Sequence, residues 1–192
     1  MAVALWWATL SVVDRGLAAG LDAVERARAE AYERPADRAR SLLGAALLRT
    51  AVADHLGVAP HEVVVDRRCP DCGAQHGAPR ILGPGTDHSW VSVSHSGLLA
   101  VVAVSGAGPV GVDVQRIADL ADPADAPGWV RREALLKAGC PQDGTGCHCH
   151  ELATPLAGYA AALATYGEAV HEPAVQHWPD QRSPTSPSRA KV

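Results

Sequence analysis

Apolar and polar positions in the first half of the chain follow both strand-like and helix-like spacings. The apolar run over residues 1–13 predicts a strand that enters the core. Residues 35–56 have helical spacing and are followed by Gly57, a residue type that commonly ends a helix. We also predict a helix near 20–30, a strand at 61–66 and a loop over the Cys-, Gly- and Pro-rich segment 69–89.

The middle of the chain predicts a hairpin. Val91 and Val93 alternate with serines, Gly97 marks a turn, and an apolar run over residues 98–104 follows. The strands of this hairpin are expected near 91–94 and 98–105, which places His95 at its tip. Further along, we predict strands at 110–114, 158–164 and 173–178 and a helix at 129–138. This mixture of elements predicts an α+β fold.

The hairpin tip carries the first candidate for chemistry, the sequence Ser94-His95-Ser96. A histidine between two hydroxyl groups can donate several hydrogen bonds to a phosphate, and the imidazole becomes cationic when an anion arrives. Taken alone, the motif is more typical of a plain turn in which the serines close the backbone and His95 is a surface side chain.

The second candidate is Asp113, a carboxylate within the β-like run Gly111-Val112-Asp113-Val114. Aspartate is depleted in strands, so its presence here indicates either a backbone-capping role or a cation. Mg²⁺ is typically held by one or two carboxylates together with substrate phosphates. The alternative is an aspartate at a strand end that faces solvent.

The third candidate is the helix that follows Trp129. Its apolar face is formed by Trp129, Val130, Ala134, Leu135 and Ala138. Glu133 and Lys137 lie four residues apart, in the orientation that favours an ion pair on one helical face. Such a surface pair is the simple alternative to a catalytic role.

The order of these three motifs resembles the 4′-phosphopantetheinyl transferase superfamily of the broad-specificity, Sfp-like type. The resemblance extends upstream to the amphipathic segment 34–49, to the loop His76-Gly77-Ala78-Pro79, and downstream to the segments 159–164 and 174–178. It implies two similar α+β lobes in a pseudo-twofold arrangement, each a small, mostly antiparallel sheet packed with a helix. We assign residues 1–108 to the first lobe, 109–178 to a shortened second lobe and 179–192 to a disordered tail.

The resemblance implies an enzyme that transfers the phosphopantetheinyl arm of coenzyme A to a serine of an apo acyl, polyketide or peptidyl carrier protein and releases adenosine 3′,5′-bisphosphate. It assigns Asp113, Glu133 and Gln115 to Mg²⁺ and makes Glu133 and Lys137 the catalytic pair. The residues that it assigns to coenzyme A are His95, Ser94, Lys137, Arg34, Arg38 and Arg40. Arginine suits this task because its planar fork meets phosphate oxygens in pairs.

Three departures from the family pattern bear on activity. Gln115 stands where many members have a second acidic ligand, and Ala78 stands where a loop cation is usual, with Arg80 nearby. The largest departure is the short connection between Gln115 and Trp129, where the family usually has a few tens of residues. A minimal transferase, a non-catalytic paralogue that still binds coenzyme A or a carrier protein, and an altered reading frame all remain open.

Composition sets the outer limits of the interpretation. With 192 residues, 47% of them hydrophobic, the chain can bury one sizeable core, and its net charge of −4 argues against nucleic-acid binding. The apolar start has no preceding basic residue and is too short to span a bilayer. We therefore expect a cytoplasmic monomer that takes part in secondary metabolism and does not associate with membranes.

Five cysteines, an odd number in a chain without an export signal, argue against a disulfide framework. Cys69 and Cys72 form a C-P-x-C-G knuckle, and the run Cys147-His148-Cys149-His150 offers further ligands for a tetrahedral Zn²⁺ site. Free cysteines on a loop are the alternative. A small zinc-stabilised interaction protein is thus a third functional reading.

Overall fold

The computed structural model describes residues 2–14, 16–170 and 172–179. These residues contain three α-helices and nine strands, together with short 3₁₀ turns. The helices are α1 (Ala23–Glu30), α2 (Pro35–Leu56) and α3 (Ala126–Lys137). The strands are β1 (Val3–Thr9), β2 (Val64–Asp66), β3 (Arg80–Leu82), β4 (Trp90–Ser96), β5 (Leu99–Ser105), β6 (Val110–Arg116), β7 (Cys147–Glu151), β8 (Tyr159–Tyr166) and β9 (Ala174–Trp178).

The predicted α+β class is confirmed, and each predicted helix and strand has its counterpart. Two short strands, β3 and β7, were not predicted, because one has three residues and the other has the polar sequence Cys-His-Cys-His-Glu. The predicted tail 179–192 lies, from residue 180 onwards, outside the described residues. No helix in the described segments has both the length and the apolar character needed to cross a bilayer.

The first sheet has the strand order β4-β5-β1-β9. The hairpin β4–β5 turns at Gly97, as predicted, and β5 pairs antiparallel with β1, Trp7 lying opposite Val101. Strand β9 runs parallel to β1, with Leu5 opposite Val175. The C-terminal end of the described chain is therefore part of the same sheet as its N-terminal strand.

Two further sheets complete the fold. Strands β2 and β3 form a two-stranded antiparallel pair, and the third sheet has the antiparallel order β6-β8-β7. The predicted division into two lobes between residues 108 and 109 stays a prediction.

The core is arranged in layers because the strands of the first sheet bury side chains on both faces. Trp6, Val102 and Val104 face α2 on one side, whereas Trp7 and Val101 pack against the β6–β8 sheet on the other. All seven residues of β5 are buried as a result. Helix α3 covers the far face of the third sheet with Val130, Ala134 and Ala138, which gives the succession helix, sheet, sheet, helix.

Helix α1 is attached to α2 by Arg49, which is only 4% exposed. Its guanidinium donates to Glu25 Oε2 (2.7 Å) and to Asp22 Oδ2 (2.8 Å). It also donates to the carbonyl oxygens of Val63 (2.8 Å) and Pro60 (3.2 Å). Asp22 and Glu25 form the capping box of α1 as well, so one arginine fixes where that helix begins.

Removing this arginine should destabilise the protein strongly. We expect Arg49→Ala to lower the free energy of unfolding by about 3–5 kcal/mol, because it leaves the buried Glu25 carboxylate without its cation. Urea denaturation followed by circular dichroism measures the change. Arg80→Ala is the matched control, since Arg80 pairs with Asp66 but its side chain is 62% exposed, and it should leave the unfolding midpoint nearly unchanged. Equal effects of the two substitutions would contradict this assignment.

Candidate active site

Three serines of β4 fasten the first sheet to the third. The hydroxyl oxygens of Ser92, Ser94 and Ser96 accept hydrogen bonds from the backbone N–H groups of every second residue along β6, at 3.0, 3.2 and 3.0 Å. The donors are Val112, Val114 and Arg116. We call these three serines the serine ladder. It satisfies the edge of β6 that β8 does not pair with, and it brings the predicted His95 and Asp113 motifs side by side.

Asp113 lies at the centre of the site and is 5% exposed. Its Oδ1 accepts hydrogen bonds from Ser94 Oγ (2.7 Å) and from the ammonium of Lys137 (2.6 Å). Lys137 Nζ also donates to the carbonyl oxygen of Val112 (3.2 Å). The hydroxyl proton of Ser94 thus points to Asp113, and Lys137 forms its ion pair with Asp113 across two elements, not with Glu133 along its own helix.

The close approach of α3 to β6 depends on Gly111. A Cβ atom at this position would lie 2.0 Å from the Ala134 carbonyl oxygen and 2.5 Å from the Ala138 nitrogen. Only glycine therefore allows the helix to lie directly on the strand. This contact places Lys137 against Asp113, and it places the half-buried Glu133 one helical turn before Lys137.

The residues predicted to hold Mg²⁺ fit that ion chemically. Asp113 and Gln115 lie two apart on β6 and so project from the same face of the strand, and both offer the oxygen ligands that Mg²⁺ prefers. The Gln115 amide nitrogen donates to the Arg116 carbonyl oxygen (3.1 Å), and Glu133 is a half-buried carboxylate on α3. The ammonium of Lys137 compensates the Asp113 charge in the present arrangement.

A cavity of about 270 Å³ opens beside this site and is rich in cations. Arg28 of α1, Arg67 of the loop after β2, His95 of β4 and Lys137 of α3 line it. Of its described lining residues, none is acidic. Ser94 also faces it, and α2 contributes Ser41, Gly44 and Ala45. Such a convergence of positive charge suits an anion with several oxygens, such as a phosphate or pyrophosphate.

His95 reaches solvent through the open cavity but is surrounded by protein on its other sides. This partial desolvation lowers the pKa of His95, and the nearby cations Arg40, Lys137 and Arg28 lower it further. The imidazole therefore takes up a proton less readily in the free protein than an unperturbed histidine does. An anion in the cavity would offset the repulsion and favour the imidazolium, so anion binding is coupled to proton uptake.

Arg67 lies among the same charges. Desolvation and the neighbouring Arg28 lower the pKa of Arg67 to about 10, although Glu25 opposes the shift. The guanidinium is thus cationic at neutral pH and is held close to a second cation. Two arginines that line one cavity, with no acidic residue among its described lining residues, indicate a place for an anion.

The other predicted arginines lie outside the lining of this cavity. Arg34 caps the N-terminus of α2 and is exposed, and Arg38 donates to the Tyr32 carbonyl oxygen (3.3 Å). Arg40 pairs with Asp37 and donates to the Gly97 carbonyl oxygen (3.1 Å), next to the hairpin turn. The structure therefore brings Ser94, His95, Asp113 and Lys137 together, with Arg40 close enough to His95 to influence it.

Sequence reasoning missed Arg28 and Arg67 as cavity residues. Arg28 belongs to the Arg-rich segment 26–49, but nothing in that segment distinguished it from its neighbours. Arg67 follows directly after a short strand, in the pair Arg67-Arg68. Position at the end of a strand was the available signal, since functional side chains often lie on loops that a scaffold positions.

The short connection between β6 and α3 contains two single 3₁₀ turns, Ile117–Asp119 and Pro123–Asp125.

After α3, a disulfide joins Cys140 to Cys147, whose Cα atoms lie 6.1 Å apart. The prediction that the chain has no disulfide is wrong for this pair. Counting cysteines overlooked that the end of α3 and the start of β7 are adjacent, the two cysteines being only seven positions apart in the sequence.

Comparison with known proteins supports the resemblance. The chain is 33% identical over 110 residues to a protein of Synechocystis sp. that is provisionally named a 4′-phosphopantetheinyl transferase; this covers 55% of the chain and 42% of that protein. It is 32% identical, again over 110 residues, to a protein of Thraustochytrium sp. named phosphopantetheinyl transferase, with 57% and 36% covered. No family model matches the chain.

These two similarities support membership of the phosphopantetheinyl transferase superfamily, as the order of the motifs predicts. The chain spans about two fifths of the length of these relatives. The predicted resemblance is therefore confirmed at the level of the superfamily, and this confirmation does not extend to the Sfp-like subtype.

Gly111 provides a test of how α3 is positioned. Gly111→Ala should destabilise the protein by about 1–3 kcal/mol, because the new methyl group overlaps backbone atoms of α3 that cannot rotate away. Thermal unfolding measures the loss. Gly20→Ala is the control, since a Cβ there would meet nothing within 4 Å. A stable Gly111→Ala protein would mean that α3 does not pack on β6 in this way.

The coupling of His95 to anions provides a pH test. Because the pKa of His95 is lowered in the free protein and an anion raises it, pyrophosphate should bind more tightly as the pH falls through the region below about 6.5. Calorimetric titration of wild type and His95→Gln measures this, and the difference between the two removes the titration of pyrophosphate itself. His61→Gln, at an exposed position, should behave as wild type. Parallel pH profiles for wild type and His95→Gln would exclude the coupling.

Proposed function

We propose that this protein transfers the 4′-phosphopantetheinyl group of coenzyme A to a serine of an apo carrier protein and releases adenosine 3′,5′-bisphosphate. The observation that carries the proposal is the cation-lined cavity directly beside the Asp113–Lys137 pair. The names of the two relatives point to the same chemistry.

Coenzyme A offers a pyrophosphate and a 3′-phosphate, and the cavity offers donors of matching charge. Arg28 and Arg67 can each meet two phosphate oxygens with the planar guanidinium fork, whereas Lys137 acts as a point charge. His95 adds an imidazolium when the anion is bound. Arg34, Arg38 and Arg40 extend the positive surface along the start of α2 and stay candidates for the outer part of the nucleotide.

The reaction breaks the phosphoanhydride bond of coenzyme A and forms a phosphoester bond to the carrier serine. The hydroxyl oxygen of the carrier serine attacks the phosphorus that bears the pantetheine arm, and the bond to the bridging oxygen of the pyrophosphate breaks. The electron pair leaves with adenosine 3′,5′-bisphosphate, and the serine proton passes to Glu133, directly or through a water. Negative charge develops on the leaving phosphate, where Lys137, His95 and the two arginines can stabilise it.

Magnesium would be held by Asp113 and Glu133, with the Gln115 amide oxygen as a weaker third ligand. When bound, the ion supplies charge neutralisation at the phosphates. Lys137 takes part in this exchange, because its ammonium now occupies Asp113 Oδ1. Its side chain is 29% exposed and attached to the last turn of α3, so it can turn towards the cavity without a change in the backbone.

The broad-specificity, Sfp-like subtype belongs to the proposal too, as do a carrier from secondary metabolism, a monomeric state and a cytoplasmic location. In this arrangement residues 1–108 and 109–178 act as two lobes, and coenzyme A lies between them. The ladder of serines between β4 and β6 supports that geometry, since it lies where the two segments meet.

A non-catalytic protein that binds coenzyme A or a carrier protein is the second candidate. The short connection at residues 117–128 favours it, because the longer segment of the family contributes to the face that receives the carrier. The amide at Gln115 favours it as well, since an amide binds Mg²⁺ more weakly than a carboxylate. The anion cavity is the same in both candidates.

Mass spectrometry of an apo carrier protein, incubated with the protein, coenzyme A and Mg²⁺, tests the proposal. We expect a mass gain of one phosphopantetheinyl group. Glu133→Gln should lower the rate by about 10²–10⁴-fold, because the amide cannot accept the serine proton. Glu151→Gln is the control, at an exposed position of β7, and should retain the wild-type rate.

Direct binding of coenzyme A separates the two candidates. Binding without transfer to acyl, polyketide and peptidyl carriers would favour the non-catalytic protein. Transfer at the wild-type rate by Glu133→Gln would remove Glu133 from its role as base but would leave the transferase assignment intact. Absence of transfer, together with absence of binding to coenzyme A and to the carrier proteins, would exclude both candidates.

A further inference from the structure

The loop between β2 and β3 holds a group of ligand atoms that the proposed transferase chemistry does not use. The sulfur atoms of Cys69 and Cys72 and a ring nitrogen of His76 all lie within 4.8 Å of one another. Cys72 Sγ and His76 Nε2 are 3.0 Å apart. Among the described residues, this is the group in which three or more His, Cys, Asp or Glu side chains converge.

The backbone of the loop is folded so that these three side chains meet. Cys69 N donates to the Ala74 carbonyl oxygen (2.8 Å), and Gly73 N donates back to the Cys69 carbonyl oxygen (2.9 Å). Gly73 has a φ of +74°, the left-handed region that a glycine enters most easily. The chain reverses its direction at Gly73, directly after Cys72, and this reversal brings His76 close to the thiols of Cys69 and Cys72.

We propose that Cys69, Cys72 and His76 bind one Zn²⁺ ion. Two thiolates and an imidazole are ligands that zinc prefers, and two sulfur atoms at about 2.3 Å from a tetrahedral zinc lie about 3.8 Å apart. That separation falls within the spread of this group. Binding displaces the two thiol protons to solvent, because the thiolates are the ligands.

The fourth position is accessible from solvent, since Cys72 and His76 are both exposed. Water can occupy it, and Asp71 is the side chain on the same loop that can replace water. Its Oδ2 lies 4.0 Å from Cys69 Sγ. A site with three protein ligands and an open fourth position is a geometry that zinc accepts.

This ligand set differs from the one that the sequence suggested. The sequence suggested that residues 147–150 supply the remaining zinc ligands. In the structure, the side chain that lies close to Cys69 and Cys72 is His76, from the same loop. Cys147 is bonded to Cys140, and Cys149 is a free cysteine on β7. His76 was not considered as a ligand, because it resembles, together with residues 77–79, a loop of the family.

Zinc at this place would stabilise the loop that presents Arg67. The base of the loop is closed by a hydrogen bond from Gly77 N to the Arg67 carbonyl oxygen (2.7 Å). A Cβ at Gly77 would lie 3.0 Å from that same oxygen. The metal would thus hold together the tip of the loop, whose base begins at Arg67, a residue of the anion cavity. The metal site itself does not depend on the proposed transferase function.

Metal content and cobalt spectroscopy test the site. The full chain, purified under reducing conditions, should contain about one zinc per molecule by elemental mass spectrometry, the stoichiometry of a single mononuclear site. Co²⁺ added to the metal-free protein should give a thiolate-to-cobalt charge-transfer band and the visible bands of tetrahedral cobalt. Cys72→Ser and His76→Ala should lose most of the zinc, whereas Cys149→Ser should keep it.

Each outcome decides the proposal. A wild-type protein without zinc and without the thiolate-to-cobalt band would overturn it, and this result needs no variant to fold. Zinc that survives both Cys72→Ser and His76→Ala, or that is lost in Cys149→Ser, would place the metal elsewhere. The readout is metal binding alone, so a failure here is distinguishable from a failure of the transferase assay.

Discussion

The serine ladder between β4 and β6 is the interaction on which the site depends. A strand at the edge of a sheet has N–H groups that must find partners, and three hydroxyl oxygens from a neighbouring sheet provide them for β6. The two strands that carry His95 and Asp113 are thereby joined without a shared backbone ladder. Ser94 extends the link into the site, because its hydroxyl proton binds Asp113.

Charge is distributed unevenly around this junction. The buried carboxylate of Asp113 is compensated by Lys137 at 2.6 Å, whereas the cavity beside it collects cations without an acidic partner among its described lining residues. Holding like charges together is unfavourable unless an anion joins them. Arg49 contributes indirectly, since its bonds to Asp22 and Glu25 hold the helix from which Arg28 projects. The contacts of Arg49 that stabilise the packing of α1 on α2 therefore also hold Arg28 at the cavity in which an anion would bind.

Several features of the fold could be read from local patterns. The alternation around β4, the turn at Gly97, the apolar run of β5 and the end of α2 at Gly57 are recorded in residues close together in sequence, and the structure agrees with each. Strand β7 could not be read in this way, because its Cys-His-Cys-His-Glu sequence has no strand-like alternation and it pairs as the outer strand of its sheet. The disulfide escaped prediction for a similar reason, since it depends on where α3 ends relative to that strand.

The candidate site shows the same division between local and distant information. By itself, the sequence determined the element types and, through its motif order, predicted the resemblance to the superfamily and the candidate residues Ser94, His95, Asp113 and Lys137. Only the tertiary structure decided that Lys137 pairs with Asp113, that Arg28 and Arg67 face the cavity, and that His76 completes the group with Cys69 and Cys72. The physical reason is that periodicity and turns arise from neighbouring residues. An ion pair or a ligand set instead requires side chains from separate segments to meet, and their meeting depends on how sheets and helices pack.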